Sequence, residues 1–86
     1  MRRRLVSRIT ECKANQDLIV YPEGATIMIG YEFNIYNVGD KDIEIKFEED
    51  GDILVLEPNE GFDTQFPIQH AIVLTEGAVV KYTYWV

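Results

Sequence analysis

The chain has one cysteine, one serine and one histidine, and no apolar run long enough to span a membrane. A lone Cys12 excludes an intrachain disulfide, and with it the stapled scaffolds of small secreted domains. Arg2-Arg3-Arg4 is followed by Leu5-Val6-Ser7-Arg8 and not by the apolar core of a signal peptide, so the expectation is a soluble protein folded without export. Nucleophilic catalysis would have to be built from Ser7, Cys12 and His70 alone. A Cys12/His70 dyad can be written down, but a single Cys in a β domain is usually a small buried hydrophobe. The single His70 is more simply a rim residue with a satisfied hydrogen bond. Zinc would need about four N or S donors. The acidic loop Glu48-Glu49-Asp50-Gly51-Asp52 has oxygen donors suited to Ca²⁺ but lacks the spacing of a calcium-binding loop, and acidic β-turns are commonly solvated. The carboxylates that could pair for glycoside hydrolysis lie on loops and solvent faces of a domain too small to enclose a sugar cleft. The expectation is therefore no catalytic residues, no metal and no cofactor.

Positive charge is also scarce outside one place. Residues 1 to 13 carry five basic side chains against Glu11, a balance of +4, whereas the rest carries three lysines against fourteen acids, a balance of −11; together they give −7. The acidic body would repel phosphates, which argues against a nucleic-acid ligand. A basic arm, about residues 1 to 13, suits an acidic surface on the same molecule or on a neighbour. In the second case Leu5, Val6 and Ile9 would add apolar contact or a strand to an open sheet edge, and assembly would weaken with salt.

What is plentiful is period-two alternation. From Thr26 the odd positions Ile27, Ile29, Tyr31, Phe33 and Ile35 are apolar and the even ones polar or small, the signature of a half-buried strand. Val38-Gly39-Asp40-Lys41 has turn chemistry, and Ile43, Ile45 and Phe47 resume the alternation, which predicts a hairpin. Asp50-Gly51 turns the chain again into Ile53-Leu54-Val55-Leu56, whose continuous apolar run predicts burial on both faces. Before these lie a strand over Arg3 to Ile9 with Leu5 inward, a turn at Ala14-Asn15-Gln16, and a short run from Asp17 ended by Pro22. After them come a turn at Glu57 to Gly61, a strand with Phe62 and Phe66 on one side, and a strand with Ile68, His70, Ile72 and Leu74 on one face. A last strand follows Glu76-Gly77, with Val80, Tyr82 and Tyr84 on one face and Val79, Lys81, Thr83 and Trp85 on the other. Seven or eight short strands with no helical periodicity predict a single all-β domain over residues 1–86. The expected architecture is an antiparallel β-sandwich, immunoglobulin-like or jelly-roll. The expected core is Ile27, Ile29, Phe33, Ile35, Ile43, Ile45, Phe47, Ile53, Val55, Ile72 and Leu74. Most aromatics are expected in that core, with the Tyr82/Tyr84 stripe reserved as the exposed apolar patch.

The order YEFNIYNVGDKDIEI, an acidic Gly turn, DILVLEPNEGFDTQF and a closing AIVLTEGAVVKYTYWV resembles the small β-sandwich modules of tailed-bacteriophage virions, the capsid decoration and fibre-tip proteins. The pieces that carry it are Asn37-x-Gly39, Leu56-x-Pro58-x-Glu60 and the hydrophobic last strand, spanning Thr26 to Val86; Asn59 stands where a Gly is often found. The resemblance implies a non-enzymatic structural protein, of decoration, cement or fibre-associated type. It would be assembled into virions in the host cytoplasm and bind other virion subunits or copies of itself. Arg2, Arg3, Arg4, Leu5, Arg8, Tyr82 and Tyr84 are the candidate partner-binding residues. The alternative is a free-standing carbohydrate-binding or adhesion-type module.

Overall fold

The computed structural model describes residues 4–20 and 29–86; Arg2, Arg3, Tyr21, Pro22 and Ile27 lie outside the described residues. Eight strands follow in order: β1 Leu5–Glu11, β2 Gln16–Asp17, β3 Tyr31–Asn37, β4 Ile43–Lys46, β5 Leu54–Leu56, β6 Gly61–Asp63, β7 Ile72–Val73 and β8 Val79–Trp85. They form two antiparallel four-stranded sheets, β1-β8-β3-β6 and β2-β7-β4-β5. First pairs with last, second with seventh, third with sixth and fourth with fifth, so the chain is one long antiparallel hairpin rolled up on itself. That strand order is the jelly roll, not the immunoglobulin arrangement.

The two sheets close on one core. Phe33 and Ile35 from β3 and Val80 from β8 meet Ile43 and Ile45 from β4 and Val73 from β7, all with no exposed surface. The ring of Phe33 stands edge-on to Phe47 at 6.0 Å between centroids and lies 6.4 Å from both Tyr82 and Tyr84.

Several expectations change, each for a local reason. β3 and β4 do not pair as a hairpin; the turn after Asn37 carries the chain from one sheet to the other. Buried Asn37 holds that corner, its Nδ2 donating to the carbonyls of Lys41 (2.8 Å) and Leu56 (3.0 Å) while Oδ1 accepts from the Gly39 amide (3.1 Å). A bulge between Tyr31 and Asn34, with Glu32 at φ 53°, inserts one residue against β8. It puts Tyr31 beside Trp85 on the outer face instead of inward. Gly30, expected outward, is buried, and a Cβ there would come within 3.0 Å of Ile19 and 3.3 Å of Tyr84. Ile29 precedes the strand and is only half-buried.

β5 is a sheet edge, so Ile53 and Val55, expected in the core, stand 51 % exposed on its outer side. Around β7 the inward phase belongs to Ala71 and Val73, leaving Ile72 and Leu74 half-buried. β6 ends at Asp63, and Phe66 lies 60 % exposed beyond it while Phe62 packs on the core. Leu5 faces outward at 48 % exposure, because β1 shares the outer phase of Trp85.

Candidate interaction edge

Residues 4 to 11 of the basic segment are not a detached arm. They form β1, paired in register with β8 from Leu5↔Trp85 to Glu11↔Val79. The reason is strand chemistry, since Leu5, Val6, Ile9 and Thr10 favour a pleated surface and β8 would otherwise be an open edge beside the core. On its other side β1 has no partner among the described residues, and at seven residues it is by far the longest edge strand; β2, β5 and β6 have two or three residues each.

The direction of its backbone groups follows from one pair. The Arg4 amide donates to the Val86 carbonyl (3.1 Å) and the Val86 amide to the Arg4 carbonyl (3.0 Å). Even residues of β1 therefore turn N–H and C=O toward β8, and the odd residues Leu5, Ser7, Ile9 and Glu11 turn theirs to the open edge. Their side chains lie on the outer face of the sheet, where Ile9 is 68 % exposed.

The even side chains share the inner phase of β8. Arg4, Val6, Arg8, Tyr82, Tyr84 and Val86, with Val20 opposite, line a cleft of about 250 Å³ under the β1 side of the sandwich. Four of the predicted partner residues, Arg4, Arg8, Tyr82 and Tyr84, are thus brought together, while Leu5 is on the opposite face. The tyrosines are not the exposed patch expected of them. Tyr82 is 7 % and Tyr84 2 % exposed, their rings stacked at 6.2 Å, and the Val20 amide donates to the Tyr84 hydroxyl (3.4 Å). Burial first, and then the neighbouring Tyr84, pushes the Tyr82 phenol above its ordinary pKa, while Arg8 pulls it back, which places that guanidinium's field on the cleft floor. Both arginines are exposed, and among the described residues neither has a carboxylate partner.

The outer face of this sheet carries aromatics too, Tyr31 and Trp85 half-buried and Tyr36 exposed. Tyr31 and Trp85 sit side by side, and Tyr36 lies 54 % exposed across Gly61, so close that a Cβ on Gly61 would stand 2.6 Å from its ring. Alternation puts Trp85 outward and Tyr36 on the even, outward side of its strand; that the Tyr36 ring lies against Gly61 follows only from the β3–β6 register.

The chemistry-bearing side chains stand elsewhere. Cys12 is buried, and burial pushes its thiol up, away from the reactive thiolate. His70 Nδ1 lies 2.8 Å from Asp17 Oδ2, and Asp17 Oδ1 accepts from the amides of Ile19 and Ala71, both at 3.0 Å. This carboxylate fastens the loop after β2 to β7. Among the described residues no group of three or more His, Cys, Asp or Glu is arranged to hold a metal, the acidic loop included. No helix of the described residues is long and apolar enough to cross a membrane. Compared with protein-family models, with curated proteins and with solved structures, the chain matches none.

Proposed function

We propose that this chain is a non-enzymatic structural subunit that assembles with copies of itself or with neighbouring subunits, in the manner of a small bacteriophage virion protein. The observation that carries the reading is the β1 edge, which has no partner among the described residues: Leu5, Ser7, Ile9 and Glu11 turn their backbone groups outward along a seven-residue strand that exposes Leu5 and Ile9 and has no proline or bulge. Such an edge is a template for another strand, and soluble proteins usually cover or interrupt it. The jelly roll, used by many capsid domains, is compatible with that role but common to others. A raised thiol at Cys12 and the commitment of His70 to Asp17 leave no activated nucleophile among the residues considered for catalysis.

A second reading has one observation in its favour. Tyr36, with Asn34, Lys81 and Thr83, borders a shallow depression of about 240 Å³ on the outer face, a flat ring beside polar groups as a sugar-stacking site would need. Light scattering across a range of concentrations, with a glycan array in parallel, separates the two. Mass rising above the 9.9 kDa chain supports assembly. A monomer at every concentration that is retained on glycans overturns it.

A further inference from the structure

Resting on the assembly reading, we infer that the occupant of the β1 edge is a second copy of β1, paired antiparallel about a two-fold axis through Ser7. The two sandwiches then share one continuous eight-stranded sheet.

A two-fold axis normal to the sheet maps outer face to outer face, so only residues of the same parity can oppose each other. Leu5, Ser7 and Ile9 already point their amides and carbonyls outward, and the axes nearest the middle of the strand, through Ser7, Arg8 or Ile9, pair the most of it. With Arg8 at the axis, two guanidiniums meet in a non-hydrogen-bonded pair, the closest approach in an antiparallel ladder. Like charge disfavours that register. With Ile9 at the axis, Leu5 falls opposite Lys13, beyond the end of β1, and its exposed side chain stays uncovered.

With Ser7 at the axis, Leu5 to Ile9 of each copy pair with each other. Leu5 opposes Ile9 of the second copy and Ile9 opposes its Leu5, which covers the two exposed aliphatic residues of β1 at once. The smallest side chain of the strand sits where the copies meet. On the inner side Arg8 opposes Val6, and Arg4 opposes Thr10, so no charge directly faces its like. The pairs Leu5/Ile9, Ser7/Ser7 and Ile9/Leu5 each exchange two backbone bonds, about six in all, from groups that no described strand of the same chain uses. The arginines, set on the inner phase of an edge strand, bias the register: they disfavour the alignment that pairs most backbone and leave the one that buries most apolar surface.

Cysteines that leave Arg8 in place read the register directly. In a Cys12→Ala background, Ser7→Cys, Ile9→Cys and an equal mixture of the two are each oxidised at a concentration where the parent chain is dimeric by light scattering. Across a hydrogen-bonded pair the Cα atoms are about 5.5 Å apart, within disulfide reach. An axis at Ser7 brings two Ser7→Cys positions together, an axis at Arg8 brings Ser7→Cys against Ile9→Cys, and an axis at Ile9 brings two Ile9→Cys positions together; in the Ser7 register the last two are about 13 Å apart along the strand. The expected result is a near-complete disulfide dimer for Ser7→Cys, monomer for Ile9→Cys and no mixed disulfide from the mixture. A chain that is oligomeric but crosslinks at Ile9→Cys, gives the mixed disulfide, or crosslinks nowhere overturns the inferred pairing and leaves the assembly reading standing. A parent chain that stays monomeric overturns both. Ser7→Pro adds a check, since the Ser7 amide faces the open edge and its loss leaves the β1–β8 ladder intact. It should yield a folded monomer by circular dichroism and light scattering, and a folded variant that still dimerises counts against the pairing.

Discussion

Replacing Asn37 with Ala should cost this small domain about 2 to 4 kcal/mol, far more than its removal of a few polar atoms suggests. The side chain is 1 % exposed and makes three hydrogen bonds, to the carbonyls of Lys41 and Leu56 and from the amide of Gly39. A net hydrogen bond contributes about 1 kcal/mol, and a buried partner left without one costs about 1 to 3 kcal/mol. Lys41 is exposed and can be rehydrated, whereas the bond to Leu56 lies in a buried setting, so the larger penalty applies there. In a domain of this length each kcal/mol lowers Tm by about 4 to 8 °C, which puts the loss at roughly 8 to 32 °C.

Asn37→Asp sharpens the test, because the pattern of two acceptors facing Nδ2 has the wrong polarity for a carboxylate. Burial and the two carbonyl dipoles disfavour the charged form, so the new carboxyl titrates higher in the folded state than its unfolded value of about 3.9. Its penalty relative to wild type is therefore smallest below pH about 4, where the protonated group can donate one bond, and grows as pH rises through the folded pKa. Urea unfolding of both variants at pH 3.5 and pH 7 measures this. Asn34→Ala is the control, since Asn34 is half-exposed and bonds only the Glu32 carbonyl nearby. If Asn37→Ala costs no more than Asn34→Ala, or Asn37→Asp shows no pH dependence beyond wild type, the corner is not held as described.

Phe33→Ala should cost about 3 to 5 kcal/mol and Ile53→Ala under about 1, because the first ring is fully buried among Phe47, Tyr82 and Tyr84 and the second side chain is half in water; similar losses in urea unfolding would place the core elsewhere. Thr64 Oγ1 is buried without a hydrogen-bond partner among the described residues, so Thr64→Val should be neutral or stabilising by up to about 1 kcal/mol in the same assay. Cys12 and Tyr82 both titrate above their ordinary values of 9.0 and 10.0 in the folded chain, so the unfolded state loses those protons first and stability should fall as pH rises past about 9. Cys12→Ala should remove the earlier part of that fall in alkaline thermal melts.

The strands were legible wherever one face is dry and the other wet. Phe33, Ile35, Ile43 and Ile45 alternate as read because the local pattern and the tertiary environment agree. Which strands pair was not legible at the decisive corner, since alternation describes a face and says nothing about whether the next strand lies beside it or across the core. Asn37 made that choice, through bonds to residues four and nineteen positions away. Apolar runs misled at β5 for a related reason: a continuous run fits a central strand, but an edge leaves Ile53 and Val55 in water. Of the candidate site, the basic character of β1 was readable and its geometry was not. Arg4 and Arg8 acquire an inner phase, and Leu5 an outer one, only through the register with β8.

That register also reverses the expected response to salt, and so supplies a test of how the charges act. If Arg4 and Arg8 docked on acidic patches of a neighbour, screening would weaken assembly. In the strand pairing centred on Ser7 they oppose Thr10 and Val6, and no carboxylate meets them across the described pairs. Among the described pairs, what remains for salt to screen is repulsion, between two chains of charge −7 and among four arginines along the shared inner strip. The dimer should therefore tighten as salt rises. Repulsion between exposed charges is worth under about 1 kcal/mol here, so Kd should fall by about two- to fivefold between dilute and moderate salt. Sedimentation equilibrium at about 0.05 and 0.5 M NaCl, where the Debye length shortens from beyond 10 Å to a few ångströms, resolves that change. A Kd that rises with salt would mean that the arginines reach acids on the neighbour, and edge-to-edge pairing of β1 would then be wrong even if the chain assembles.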